Sequence, residues 1–211
     1  MYVKEIWRYP AKSMAGEPLT KANLSPLGID GDRVVLVVNP AGRVVTARSH
    51  PQLLGHKGTT GPNGVPLVDG RPWTDASVLH DVRAIADSGA TLIHNETEDR
   101  FDVLPLLVAT DGAITAFGRD GRRLRPNIVI GGVTGLAERQ WPGRKLRIGH
   151  VIIDIDSLRG RCVMTTYDPD TLEQESIVLK DIVQRFGGKL GLNCAVAQGG
   201  TIEQNQRVEL L

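Results

Sequence analysis

Cys162 is the residue in this sequence whose type and neighbours most clearly permit chemistry. It directly follows Arg161, and a cation beside a thiol favours the thiolate, the form that attacks electrophiles and binds soft metals. The segment 163–166 is rich in β-branched residues and predicts a strand that Cys162 would begin. A small buried side chain in that strand is the alternative interpretation. Cys194 lies among apolar neighbours, and we expect it in the core.

Lys12 and Ser13 form a second candidate site, on a tight loop after the first predicted strand. This pair offers an ammonium group, a hydroxyl and free backbone N–H groups, which together can hold a phosphate. An ordinary solvent-exposed turn is the alternative. The sequence alone leaves both interpretations open.

Arginine supplies 18 of the 25 basic residues, and several arginines stand at the ends of predicted strands. Arg33 opens an apolar run, Arg48 follows the returning strand, and Arg125 precedes Pro126. Because a following proline disfavours the helical conformation, we expect Arg125 to be extended at the mouth of a strand. These side chains either converge on one anion or form the solvated rim of a barrel.

The composition excludes several classes of function. The 211 residues carry a net charge of +1, so we expect neither nucleic-acid nor membrane binding. Two cysteines cannot hold a four-thiolate zinc site or iron–sulfur cluster. No apolar run approaches the roughly 18 residues that span a bilayer. The charged, alternating N-terminus is unlike a signal peptide, so a cytoplasmic location is expected.

Frequent glycines and prolines between short periodic segments indicate a strand-rich protein. The alternation over residues 2–9 and the apolar run 33–38 predict strands, as do 78–85 and 192–197, whereas 55–75 is expected to be surface loop. Helices are predicted over 112–117, capped by Asp111, and over 175–186, where apolar residues share one stripe. The polar stretch 86–100 is the best candidate boundary between two domains.

Taken in order, the motifs of the chain resemble those of a known family. They are Tyr9-Pro10-Ala11-Lys12-Ser13-Met14, Gly28-Ile29-Asp30-Gly31-Asp32-Arg33, Leu124-Arg125-Pro126-Asn127, Trp141-Pro142-Gly143 and Arg161-Cys162-Val163-Met164-Thr165-Thr166. Over nearly its whole length the chain resembles the MOSC family, especially two-part members related to the mitochondrial amidoxime-reducing component and its bacterial relatives. The resemblance implies an α+β, mostly β fold. An N-terminal β-barrel-like region (residues 1–90) would pack on a C-terminal MOSC β-barrel (98–211) with a few short helices.

The resemblance also implies a molybdenum cofactor of the molybdopterin type, with the metal bound by one protein cysteine. That residue matches Cys162, which would be both metal ligand and catalytic residue. The matching cofactor-binding positions are Lys12, Ser13, Arg33, Arg48, Thr110, Arg125, Asn127, Arg161 and Cys162. Because Lys12 and Cys162 are far apart in sequence, the site would form between the two halves, as cofactor sites often do.

The function that this resemblance implies is a molybdenum-dependent reductase of small N-hydroxylated compounds. With two cysteines and no haem or flavin motif, its electrons would come from a separate electron-transfer protein. A carrier of the molybdenum cofactor, or a sulfur-delivery protein with a persulfide on Cys162, is the first alternative. A β-barrel binding domain without a cofactor is the second.

Overall fold

Short β-strands make up most of the regular structure in the computed structural model, which describes residues 1–211. The strands are β1 (Tyr2–Arg8), β2 (Glu17–Leu19), β3 (Lys21–Ser25), β4 (Gly28–Ile29), β5 (Val35–Val38), β6 (Val44–Val45), β7 (Gly58–Thr60), β8 (Pro66–Val68), β9 (Arg71–Pro72), β10 (Thr91–His94), β11 (Leu106–Thr110), β12 (Ile128–Gly131), β13 (Lys145–Ile148), β14 (Val151–Gly160), β15 (Lys189–Gln198), β16 (Gly200–Glu203) and β17 (Val208–Leu210). The α-helices are α1 (Ala76–Ile85), α2 (Asp111–Phe117) and α3 (Ile177–Phe186). Short 3₁₀ helices span Pro51–Gly55, Pro62–Gly64, Glu98–Arg100, Gly121–Leu124, Ala137–Gln140 and Val163–Thr166.

The largest sheet has eight strands in the order β17-β13-β14-β15-β11-β12-β1-β2. Neighbours are antiparallel except for the parallel pair β11 and β12. The Val3 N–H donates to the Gln206 carbonyl over 2.9 Å, and its carbonyl accepts from the Asn205 N–H over 2.7 Å. Because residues 205 and 206 lead into β17, these bonds close the sheet into a barrel. The first strand therefore completes a barrel built mainly from the C-terminal half.

The core of this barrel is a cluster of 21 buried hydrophobic residues. The predicted strand near the N-terminus is confirmed as β1, where Val3 and Ile6 are fully buried against it. Each apolar side chain buried in this way stabilises the fold by about 1.5–3 kcal/mol. The predicted strand over 192–197 lies within β15 and is likewise confirmed.

The N-terminal half has a separate core of 12 buried hydrophobic residues. Its centre is β5, between β10 and β6, and all four residues of β5 are buried, as the apolar run predicts. Helix α1 and the sheet β7-β8-β9 surround it. The overall architecture is thus α+β and mostly β. The division at residues 90 and 98 stays a prediction, and β1 joins a sheet on the far side of it.

Two sequence-based expectations for the N-terminal half are wrong. Residues 78–85 form α1 rather than a strand, because the Asp75 carboxylate caps the helix by accepting from the Ser77 N–H over 2.8 Å. Val78 and Val82, one helical turn apart, are both fully buried. In so short a segment, periodicity alone does not distinguish a buried helix from a strand. Residues 55–75 are not plain loop, since they contain β7, β8 and β9.

The helices of the C-terminal half follow the sequence more closely. Helix α3 is confirmed, with Val178, Ile182 and Phe186 buried on one face. Helix α2 is also confirmed, but its cap is Thr110 rather than Asp111, because the Thr110 hydroxyl accepts from the Ala113 N–H over 3.1 Å. No helix in the protein combines the length and the apolar character needed to cross a membrane.

Candidate functional site

A cavity of about 340 Å³ opens between the N-terminal core and the barrel. Seven of the nine predicted cofactor-binding residues line it, from five separate segments of the chain. They are Lys12, Ser13, Arg33, Arg48, Arg125, Arg161 and Cys162. The structure therefore brings these side chains together, while their role in holding a cofactor stays a prediction. A second cavity of about 610 Å³ lies beside it and shares Arg123, Arg125 and Met164 with the first.

Cys162 occupies the turn between the end of β14 and a 3₁₀ helix over Val163–Thr166. The predicted strand after Cys162 is therefore wrong. The Cys162 carbonyl accepts from both the N–H and the hydroxyl of Thr165, over 3.0 and 2.8 Å, and these bonds wind the chain into the helical turn instead. The thiol is only half-buried and faces the cavity. A thiol on such a turn is accessible to a ligand in a way that a core strand would not permit.

Cys194 differs from Cys162 in every respect that matters for reactivity. It lies in β15 with no exposed surface, packed in the barrel core. Burial raises the pKa of the Cys194 thiol far above its usual range, so the thiolate does not form at neutral pH. The expectation of a core role for Cys194 is confirmed.

Three cations surround the single carboxylate that lines the cavity, Asp102. The Lys12 ammonium lies 2.9 Å from one oxygen of this carboxylate. The guanidinium groups of Arg48 and Arg159 lie 2.6 and 3.5 Å from the other. Lys12 also donates to the Arg100 carbonyl over 2.7 Å, which fixes its direction.

Arg48 links this cluster to the thiol. Partial burial by itself lowers the pKa of Arg48, but the neighbouring Cys162 thiol and the Asp102 carboxylate raise it above its usual value. The Arg48 guanidinium therefore lies beside the Cys162 thiol. Arg161, the residue before the cysteine, is therefore not the only cation near the thiol.

Arg33 is held by a buried polar pair. Its guanidinium contacts the fully buried Asp32 carboxylate and donates to the Asn127 amide oxygen over 3.2 Å. The Asn127 amide in turn donates to Asp32 over 3.1 Å and accepts from the Leu107 N–H over 3.1 Å. Asn127 is fully buried and does not line the cavity. It positions Arg33 there, whereas the resemblance assigns it a direct contact.

Arg125 adopts the left-handed conformation (φ 54°, ψ 49°), so the expectation of an extended residue is wrong. Pro126 disfavours the right-handed helical region, and tertiary contacts select the left-handed one. The guanidinium donates to the Met14 carbonyl over 2.7 Å and lies 4.4 Å above the centre of the Tyr9 ring. Gly16 leaves room for that ring, because a Cβ there would lie 2.5 Å from it.

Arg161 reaches the cavity with an incomplete set of partners. One terminal nitrogen donates to the Leu124 carbonyl over 2.7 Å, but the buried Nε has no hydrogen-bond partner. Burial lowers the pKa of Arg161 to about 10, and the same cause lowers that of Arg125 to about 10. Neither guanidinium has a carboxylate partner among the ion pairs of the protein. A buried, unpartnered N–H of this kind points to a missing acceptor.

Thr110 does not line the cavity, in contrast to what the resemblance implies. It is fully buried, caps α2, and donates from its hydroxyl to the Glu138 carboxylate over 3.2 Å. Glu138 is almost completely buried, and burial raises the pKa of its carboxyl. The pair belongs to the packing behind the site.

We expect Glu138→Gln to stabilise the protein at pH 7 by about 1 kcal/mol and to have no effect near pH 4. The folded-state pKa of this acid is raised, so as pH increases above its ordinary value the unfolded chain releases the proton first. Glu138 therefore destabilises the fold progressively towards neutral pH, and glutamine removes that charge. Urea unfolding of both proteins at pH 4 and pH 7 measures this. A stability difference that is the same at both values would contradict it.

Arg159 and Asp102 are the cavity residues that the sequence reasoning missed. Arg159 lies near the end of β14, two positions before Arg161, and the pattern Arg-x-Arg-Cys could have indicated that both reach the same site. It also donates to the Asn193 amide oxygen over 3.1 Å. Asp102 carries no such signal, because it lies just after the polar stretch 86–100 and belongs to none of the motifs.

The charges in the cavity do not balance. Seven cationic side chains line it, whereas Asp102 is the only lining carboxylate. Arg33 and Arg123 are neutralised from behind, by Asp32 and by Asp168 with Glu175. Of the other five, Lys12, Arg48 and Arg159 share Asp102, and two have no carboxylate partner. An excess of this size in a partly enclosed space attracts an anion with several oxygens.

The fold and the site define a mostly β protein with a cationic cavity and an accessible thiol between two halves. The chain belongs to the MOSC family: residues 1–90 match the MOSC N-terminal beta barrel domain, and residues 114–209 match the MOSC domain.

Curated relatives include human mitochondrial amidoxime-reducing component 1, which is 25% identical over 80% of this chain and 67% of its own length. Human mitochondrial amidoxime reducing component 2 is 26% identical, again over 80% of this chain and 67% of its own length. Among solved structures, the YuaD protein of Bacillus subtilis superposes with a TM-score of 0.54. It is 13% identical and is matched over 99% of this chain and 94% of its own, which supports the fold.

Proposed function

We propose that this protein binds a molybdenum cofactor of the molybdopterin type and uses it to reduce N-hydroxylated compounds. The observation that carries the proposal is the cavity itself. It combines a half-buried thiol with five cations for which Asp102 is the only lining carboxylate. Membership of the MOSC family and the amidoxime-reducing relatives support a function connected with the molybdenum cofactor.

The residues present suit such a group. A phosphate fits Lys12, Ser13 and the guanidinium groups of the cavity. The unpartnered Nε of Arg161 would gain an acceptor. The Cys162 thiolate is the soft ligand that molybdenum requires. When bound, the cofactor supplies two-electron oxygen-removal chemistry, and the protein supplies binding, orientation and charge.

The proposed reaction converts an N–OH group to N–H. One N–O bond breaks, two electrons and two protons are consumed, and water is released. The electrons would come from a separate electron-transfer protein, because Cys194 is buried in the core and Cys162 is engaged with the cofactor. The cationic rim of the cavity would hold the anionic groups of the ligand. The substrate would enter from the open side of the cavity, where Arg48 and Val103 are exposed.

Benzamidoxime is the substrate with which to test this proposal. Protein made in a host that produces the cofactor should contain close to one molybdenum per chain and should form benzamidine with a reduced artificial electron donor. The control is the same protein from a host that lacks the cofactor, which should be inactive. Stoichiometric molybdenum without turnover on any N-hydroxylated compound would contradict the reductase function. The cytoplasmic location also stays a prediction, since the relatives are named as mitochondrial.

Sulfur delivery is a second candidate, favoured by the position of Arg48 beside the Cys162 thiol. An accessible thiol can take the outer sulfur of a donor persulfide, which leaves as a thiol. This function predicts sulfur that cyanide releases from the wild-type protein and not from Cys162→Ser. It also predicts no reduction of benzamidoxime, so the two assays together separate the candidates.

A further inference from the structure

The Asp102 carboxylate occupies the position that an external oxyanion would take. One of its oxygens faces the Lys12 ammonium, and the other faces both Arg48 and Arg159. A phosphate or carboxylate group bound by the same three side chains would need these positions. The side chain is partly exposed, at 30%, and so meets solvent on its open side.

The segment that carries Asp102 is weakly attached. The backbone N–H groups of residues 102–104 donate no hydrogen bond, unlike those of the flanking 3₁₀ helix and β11. Val103 is 55% exposed, so no apolar contact buries it. The ion pairs of Asp102 are thus the main polar contacts that hold the segment against the cavity. Segments with few hydrogen bonds and little burial are the ones that move at small energetic cost.

We propose that Lys12, Arg48 and Arg159 form an oxyanion subsite, and that Asp102 is its internal occupant, displaced when an external phosphate-like group binds. The inference does not rest on the proposed molybdenum function, because it concerns the chain without any cofactor. The ligand is an oxyanion of the phosphate class, and its source is either the phosphate of a bound cofactor or an acidic group on a substrate.

The ionisation of Asp102 makes the competition effective. Burial by itself raises the pKa of the Asp102 carboxyl, but Lys12, Arg48 and Arg159 bring it below its ordinary value. Asp102 is therefore charged at neutral pH. An entering oxyanion would find Lys12, Arg48 and Arg159 already paired with Asp102. The negative charge of the Asp102 carboxylate would also repel it.

Inorganic phosphate is the probe for this subsite. We expect the cofactor-free Asp102→Asn protein to bind phosphate roughly tenfold more tightly than the wild type, measured by ³¹P NMR titration and by the shift in melting temperature. Asp99→Asn is the matched control, since Asp99 lies three residues away, is exposed, and bonds only to Asn95 and Thr97. It should bind phosphate like the wild type. Asp102→Asn combined with Arg159→Gln should lose the gain.

Unchanged or weaker phosphate binding by a folded Asp102→Asn protein would overturn the proposal, because it would show that Asp102 organises the cations rather than competes for them. An equal gain in Asp99→Asn would overturn it too, as a general charge effect. Repeating the titration on cofactor-loaded protein identifies the source. Loss of phosphate binding on loading assigns the subsite to the cofactor, and retained binding assigns it to an acidic substrate group.

Discussion

Cys162→Ser protein purified from a host that makes the cofactor should contain at least about tenfold less molybdenum than the wild type, with the fold unchanged. Serine is close to cysteine in size, but its hydroxyl is a poor ligand for a soft metal. The side chain is half-buried on a turn, so the hydroxyl can meet water and the replacement leaves no unpaired polar group in the core. Elemental analysis per chain and circular dichroism measure the two outcomes.

Cys194→Ala is the matched control for this experiment. Cys194 packs in the barrel core and does not line the cavity, so the variant should keep its molybdenum while losing about 1 kcal/mol of stability to the small void. Normal metal content in Cys162→Ser would remove Cys162 from the site. Loss of metal in Cys194→Ala alone would show that the other thiol is the ligand.

Arg161→Met is expected to act in opposite directions on stability and on cofactor content. Methionine fills much of the same space without a buried charge whose Nε lacks a partner. We expect the free energy of unfolding of the cofactor-free chain to rise by about 1 kcal/mol, the gain from removing that charge exceeding the lost hydrogen bond to Leu124. Cofactor content should fall at least about tenfold.

Arg207→Met is the control, because the Arg207 side chain is 83% exposed and does not line the cavity. It should change stability by no more than about 0.5 kcal/mol and leave the cofactor content unchanged. Urea unfolding and molybdenum analysis on the same preparations give both quantities. An Arg161→Met protein that is less stable without the cofactor would show that the arginine supports the fold rather than a ligand.

Sequence reasoning succeeded where a single local pattern decided the outcome. The alternation of β1 and the apolar stripe of α3 each required burial of one face, and the structure supplies it. Lys12 and Cys162 could be assigned to one site because the family motifs fix their order. Their positions in space could not be derived from the sequence, because they depend on how the two halves of the chain pack around the cavity.

The remaining features depend on contacts that no local pattern encodes. Arg125 is left-handed because contacts with the Met14 carbonyl and the Tyr9 ring stabilise that conformation. Both partners are more than 100 residues from it in the sequence. Thr110 and Asn127 look like ligands by motif, yet both are buried behind the cavity. A residue that lines the cavity and one that lies behind it can share the same motif, as Arg125 and Asn127 do, and only the structure distinguishes them.

Closure of the barrel by its first strand has a consequence for the order of events during synthesis. Strand β1 pairs early with β2, but its partners on the barrel side, β12 and residues 205–208, leave the ribosome much later. Pairings between such distant segments slow folding and leave apolar edges exposed. Nascent chains of this protein are therefore expected to depend on chaperones until translation is nearly complete, and truncated chains that stop before residue 205 should aggregate.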